Sequence, residues 1–169
     1  MRHHKLIAVG VVVPLVALAL FTASAFGQGQ KNSFKAVLNG YKETPAINTS
    51  GTGLFTAKVS SDDSSITFTL NYSGLSGAPA AAHIHFAQKG VAGGVVAFLC
   101  GGGGKPACPA TTSGTVQGTI TAADIQAVPA QGIAAGDLAS VLKAMRARVT
   151  YANMHTANFP NGEIRGQVK

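Results

Sequence analysis

The chain has 169 residues, with thirteen Lys and Arg against six Asp and Glu, a formal net charge of +7. That length fits a single ordinary domain plus a leader. The basic residues are scattered, only Lys143, Arg146 and Arg148 cluster, and no basic stripe carries interleaved aromatics, which argues against nucleic acid as a partner.

The first residues read as a secretory signal peptide. Arg2 and Lys5 form a positive start, residues 6–21 are apolar, and Ala23-Ser24-Ala25 is a small-x-small cleavage signature, so the leader is assigned to 1–25 with the cut after Ala25. The apolar run is at the short end for a spanning helix and no stop-transfer cluster follows it. The expectation is a secreted or periplasmic protein with no stable membrane anchor after cleavage. Loss of Arg2 and Lys5 lowers the net charge from +7 to +5. Residues 26–31 form a polar lead, and 32–169 form one domain.

Strands then follow at turn-rich intervals. Residues 34–38 and 53–59 are the first two, and Ser61-Asp62-Asp63-Ser64 is a turn signal before the third. In that third segment, 65–72, Ile66, Phe68, Leu70 and Tyr72 alternate with polar residues, the period-two pattern of a half-buried strand. Residues 82–87 carry two histidines, and 94–99 is a nearly continuous apolar run fit for a buried strand. Cys100 and Cys108, the only cysteines, flank Gly101–Gly104. In an exported chain an even count favours a disulfide, which would pin this glycine-rich loop. Residues 113–120 form a strand weakened by Gly114 and Gly118.

Thr121 can cap a short helix over 122–126, with Asp124 at the capping-box position. A better helix opens at Asp137, where Leu138, Val141, Leu142 and Met145 share one stripe. Residues 148–154 and 163–168 finish the set. The fold class is therefore all-β: an antiparallel β-sandwich or barrel of about eight strands, with one or two short helices inserted late in the chain.

Function is carried by the histidines. His83 and His85 lie two apart in a strand and so face the same way, with Cα atoms roughly 7 Å apart. His155 follows 70 residues later beside another strand end. If the segments meet, three imidazoles and one carboxylate share a site. Imidazole suits copper or zinc, and His-x-His on a strand plus a distant third histidine is a known way to build such a centre. His83, His85 and His155 are the candidate metal ligands. Asn153 shares a face with His155 and can orient it. Glu163 is the one acid near His155, and Glu163 with Arg165 can instead form a structural pair. The acids are dispersed and no serine sits in Gly-x-Ser-x-Gly, so no catalytic residue is assigned.

Three stretches together resemble the CHRD domain family, found in chordin and in exported bacterial proteins. They are Leu38–Pro45, Ala82-His83-Ile84-His85 with Gly93-Gly94-Val95-Val96, and Tyr151–Thr156 through Gly162–Gln167. The likeness covers about residues 32–169. It implies a β-sandwich and an extracellular module, without a defined activity. Two readings stand. One is an exported binding module without evident catalysis, using the His-lined face for an unidentified extracellular ligand or protein. The other is a mononuclear copper or zinc site for metal handling or redox chemistry.

Overall fold

The computed structural model describes Met1 and residues 30–169; the expected leader and its cut after Ala25 lie outside the described residues. Eight strands follow in chain order: β1 (Ser33–Asn39), β2 (Thr52–Val59), β3 (Ser65–Ser73), β4 (Pro79–Phe86), β5 (Gly94–Cys100), β6 (Gly114–Thr121), β7 (Thr150–Thr156) and β8 (Ile164–Gln167). They form one sheet in the order β5-β4-β7-β8-β1-β2-β3-β6, every pairing antiparallel. The outermost strands β5 and β6 approach each other, so the sheet curls into a nearly closed barrel. Closure shields edges that would otherwise present unpaired backbone groups.

Alternation decides which side chains line the interior. Phe34, Ala36 and Leu38 of β1, Phe55 and Val59 of β2, and Ile66, Phe68 and Leu70 of β3 are buried, while their neighbours in sequence face outward. Phe55 stacks on Phe68 with 6.3 Å between ring centroids. Each such side chain contributes about 1.5–3 kcal/mol by leaving water. On β4 and β7 the inward residues are Ala82, Ile84, Ala152 and Met154, all at 0% exposure. His83 and His85 on β4, and Asn153 and His155 on β7, are consequently on the other face.

The helix α1 (Leu138–Arg146) forms as the stripe predicts. The Asp137 carboxylate accepts from the Ser140 N–H at its N-terminus, and Leu138, Val141, Leu142 and Met145 join the barrel core. Arg146 reaches Asp63 in the β2–β3 turn through two nitrogens, at 2.7 and 2.9 Å. The helix expected over 122–126 is only one 3-10 turn, Ala122–Asp124, with its capping box present. It stops there because the Gln126 N–H donates to the Val96 carbonyl of β5 instead of continuing a helical ladder, and Ile125 is buried. Cys100 and Cys108 are joined, closing the glycine-rich loop. Gly101 and Gly103 sit at φ of 75° and 56°, the left-handed region that glycine reaches without strain. No helix among the described residues is long and apolar enough to cross a membrane.

Candidate metal centre

Strand register brings the histidines together. In the β4–β7 ladder His83 lies opposite Asn153, His85 opposite Tyr151, and Ala81 opposite His155. His155 is therefore diagonal to His83, within reach across the ladder. The Nδ1 of His83 and the Nε2 of His155 are 3.1 Å apart. The Oδ1 of Asn153 is 3.0 Å from the Nε2 of His85 and 2.9 Å from the Nε2 of His155. One nitrogen from each of the three rings can be chosen so that all lie within 4.8 Å of one another. His83 and His85 are 9% and 8% exposed and Asn153 2%, whereas His155 opens partly to solvent.

The backbone fixes the tautomers. The Nδ1 of His85 lies 2.9 Å from the Gly93 carbonyl, and the Nδ1 of His155 lies 2.9 Å from the Pro160 carbonyl. A carbonyl only accepts, so in both rings Nδ1 carries the hydrogen and donates it. The Nε2 atoms of neutral His85 and His155 are then unprotonated acceptors, and that of His155 can accept from the His83 Nδ1–H 3.1 Å away. Both point at an amide oxygen, which is also an acceptor. His83 adds a third ring through its Nδ1 contact to His155, and its own Nε2 is buried without a hydrogen-bond partner.

Neutral rings are what the surroundings favour. Burial pushes the His83 imidazole down to about 3, with the neighbouring His155 and His85 adding to the effect. Burial also lowers His85 and His155, against the opposing pull of the Gly93 and Pro160 carbonyls. Second protons on these rings, the one purely protic way to satisfy every contact as arranged, are thus disfavoured.

The metal-free protein has another way to satisfy these atoms. If the Asn153 amide is turned over, its NH₂ donates to both Nε2 atoms and its oxygen faces Glu43. Gly162 shows how close Glu43 and Asn153 are. A Cβ built there would lie 2.6 Å from Glu43 Oε1 and 2.8 Å from Asn153 Nδ2, so only glycine fits. Glu43 would then need a proton to donate. Burial raises its carboxyl to about 7, although Arg165 pulls the other way.

Aromatic and cationic groups frame the cluster. Tyr151 stacks on His85, and the Arg165 guanidinium lies 3.4 Å from the centre of the Tyr151 ring. His83 meets Phe98 of β5 edge-on, at 4.5 Å between centroids. Phe98 in turn packs under Gly102 and Gly103 of the disulfide loop, where a side chain on either glycine would strike the ring.

Two expected residues do something else. Glu163 does not approach the imidazoles and does not pair with Arg165. Its carboxylate is fully buried and accepts hydrogen bonds from Thr49, from the Ser76 N–H and hydroxyl, and from Thr156, at 2.7–2.8 Å. These donors, outweighing the opposing effect of burial, keep it ionised below the usual carboxylate range. Glu163 precedes β8, so the alternation that put it beside Arg165 does not apply. Arg165 instead donates to the Val91 carbonyl at 2.7 Å and sits on Tyr151. The carboxylate beside the cluster is Glu43, which sequence reasoning missed along with Tyr151 and Phe98. Strand parity counted back from His155 could have flagged Tyr151; nothing local marks Glu43.

A family model described as CHRD domain matches residues 34–168. No curated protein and no solved structure matches the chain.

Proposed function

The chain belongs to the CHRD domain family, and on that premise we propose that it is an exported binding module whose outer face holds one copper or zinc ion through His83, His85 and His155. The reading rests on one observation. The Nε2 lone pairs of His85 and His155 converge with Asn153 Oδ1 at hydrogen-bond distances, yet the Nδ1 hydrogens are already given to carbonyls. A cation is the partner that such a set of acceptors fits.

The donor chemistry agrees. Zn–N bonds of about 2.0–2.1 Å in tetrahedral geometry separate ligand atoms by roughly 3.3 Å, close to the 3.1 Å between His83 and His155. Nδ1–H to carbonyl bonds are the usual way a protein orients imidazoles for a metal and raises their basicity. Asn153 Oδ1 stands as a fourth donor, one oxygen beside three nitrogens. Both cysteines are in the disulfide and Met154 points into the core, so no sulfur competes. When bound, copper would supply one-electron chemistry and zinc Lewis acidity; the chain's own part is to hold, orient and desolvate the ion. Export is supported by the leader signature and by the disulfide, which persists in oxidising compartments. No catalytic residue is assigned.

The proximity of Glu43 favours a second reading, in which the cluster is a hydrogen-bonded network contacting an unidentified extracellular ligand or protein. Calorimetric titration with copper and zinc, of the wild type and of a His83→Ala/His85→Ala variant, separates the two. One-to-one binding lost in the variant is the result expected of a metal site. No binding, or binding indifferent to the variant, leaves the network reading.

A further inference from the structure

We propose a second site, which shares only Arg165 with the frame of the histidine cluster: a cleft on the outer face of β1 and β8 that binds a small organic polycarboxylate. The cleft encloses about 340 Å³ and is lined by Lys35, Lys42, Lys89, Lys169, Arg165 and Val37, among others, with no acidic side chain in its wall.

The fold puts these cations together by main-chain geometry. The Lys35 N–H donates to the main-chain oxygen of Lys169 and the Lys169 N–H to the Lys35 carbonyl, both at 2.9 Å. That double exchange marks directly opposed residues, whose side chains share a face. Lys42 follows β1 in the 3-10 turn Gly40–Lys42, and its ammonium donates back to the Val37 carbonyl. Lys89 comes from the segment after β4. Arg165 holds that segment through the Val91 carbonyl, and Gln167 holds it through the Ala87 carbonyl at 2.9 Å.

Like charges placed directly opposite on a sheet cost stability. The two ion pairs among the described residues, Lys105–Asp124 and Arg146–Asp63, involve none of the cleft cations, and one of these, Arg165, also feels the carboxyl of Glu43. Mutual repulsion is already felt at Lys42, whose ammonium is lowered by burial and then by Lys169 and Lys89. A bound anion relieves this repulsion. The floor distinguishes the kind of anion. Val37 is 51% exposed there, a carbon surface that an inorganic ion cannot use and a carbon skeleton can.

The site is tested on metal-free protein in a chloride buffer of low ionic strength, with tricarballylate as probe and calorimetry as readout. Saturable one-to-one binding is expected, weakened about tenfold or more in Lys42→Ala/Lys89→Ala, retained in Lys42→Arg/Lys89→Arg, and weakened by added salt. Absence of saturable binding, or equal binding by the alanine variant, overturns the site. Inorganic phosphate binding as tightly as tricarballylate overturns the organic class. The same alanine variant keeps the wild-type response to zinc, whatever that response is, so the two sites succeed or fail separately.

Discussion

Tyr151 lies flat on His85, with ring planes 4° apart and 4.6 Å between centroids. The Arg165 guanidinium covers the other face of the tyrosine. A layered Arg–Tyr–His stack leaves the His85 imidazole little freedom to rotate, and the Nδ1 contact to Gly93 removes what remains. The metal reading makes this stack a positioning device. Tyr151→Phe keeps the stacked ring and is expected to hold zinc within about twofold of wild type. Tyr151→Ala frees His85 and should weaken zinc by about tenfold, the lower end of what lost outer-shell support costs. A competition titration against a chromophoric chelator measures both.

Glu163 is a stability residue. It is fully buried and gathers four hydrogen bonds from three segments of the chain. Glu163→Ala leaves those donors unpaired and is expected to destabilise the protein by about 3–5 kcal/mol. Urea denaturation checks the loss. Folded variant at low temperature should bind zinc as wild type does, because Glu163 touches none of the imidazoles.

Acid should destabilise the metal-free protein through the histidines. Their folded pKa values lie below the ordinary 6.5, that of His83 at about 3. The unfolded chain therefore binds more protons below pH 6.5. The stability tied to neutral rings is complete above pH 6.5 and is lost as pH falls toward 3, on the order of a few kcal/mol. Denaturation midpoints between pH 7.5 and 4 should fall more steeply for wild type than for His83→Ala/His85→Ala. Equal slopes would contradict buried neutral imidazoles.

Glu43 has the opposite sign. Its folded pKa, about 7, exceeds the ordinary 4.5. Its contribution is complete below pH 4.5 and is lost as pH rises through 7, where a buried charge replaces a neutral acid. Glu43→Gln is expected to stabilise the protein at pH 9 by roughly 1–3 kcal/mol and to change little at pH 5. Thermal melts at the two pH values read the difference.

Much of the barrel was legible in the sequence. The alternation of Ile66, Phe68, Leu70 and Tyr72 defines β3, and His83-Ile84-His85 places both imidazoles on one face. What brings His155 to them is ladder register, and register depends on loop lengths and bulges that local pattern does not reveal. Glu43 lies 110 residues from Asn153 in sequence and reaches it only because β1 and β8 are neighbours. Glu163 departs from its sequence expectation for the converse reason: it lies one residue before β8, where strand parity no longer holds. The 122–126 segment carried a sound capping box, but a tertiary hydrogen bond to Val96 ended it after one turn.

The proposed ion site requires His85 and His155 to present unprotonated Nε2 atoms to one ion. Long-range ¹H–¹⁵N NMR of ¹⁵N-histidine-labelled protein during a zinc titration tests it most directly. Nδ1–H tautomers are expected for both rings before zinc is added. One equivalent of zinc should then shift the metal-facing nitrogens of His83, His85 and His155 together, with no further change beyond it. Nε2–H tautomers or doubly protonated rings near neutral pH, with nitrogens unmoved by zinc, would contradict it.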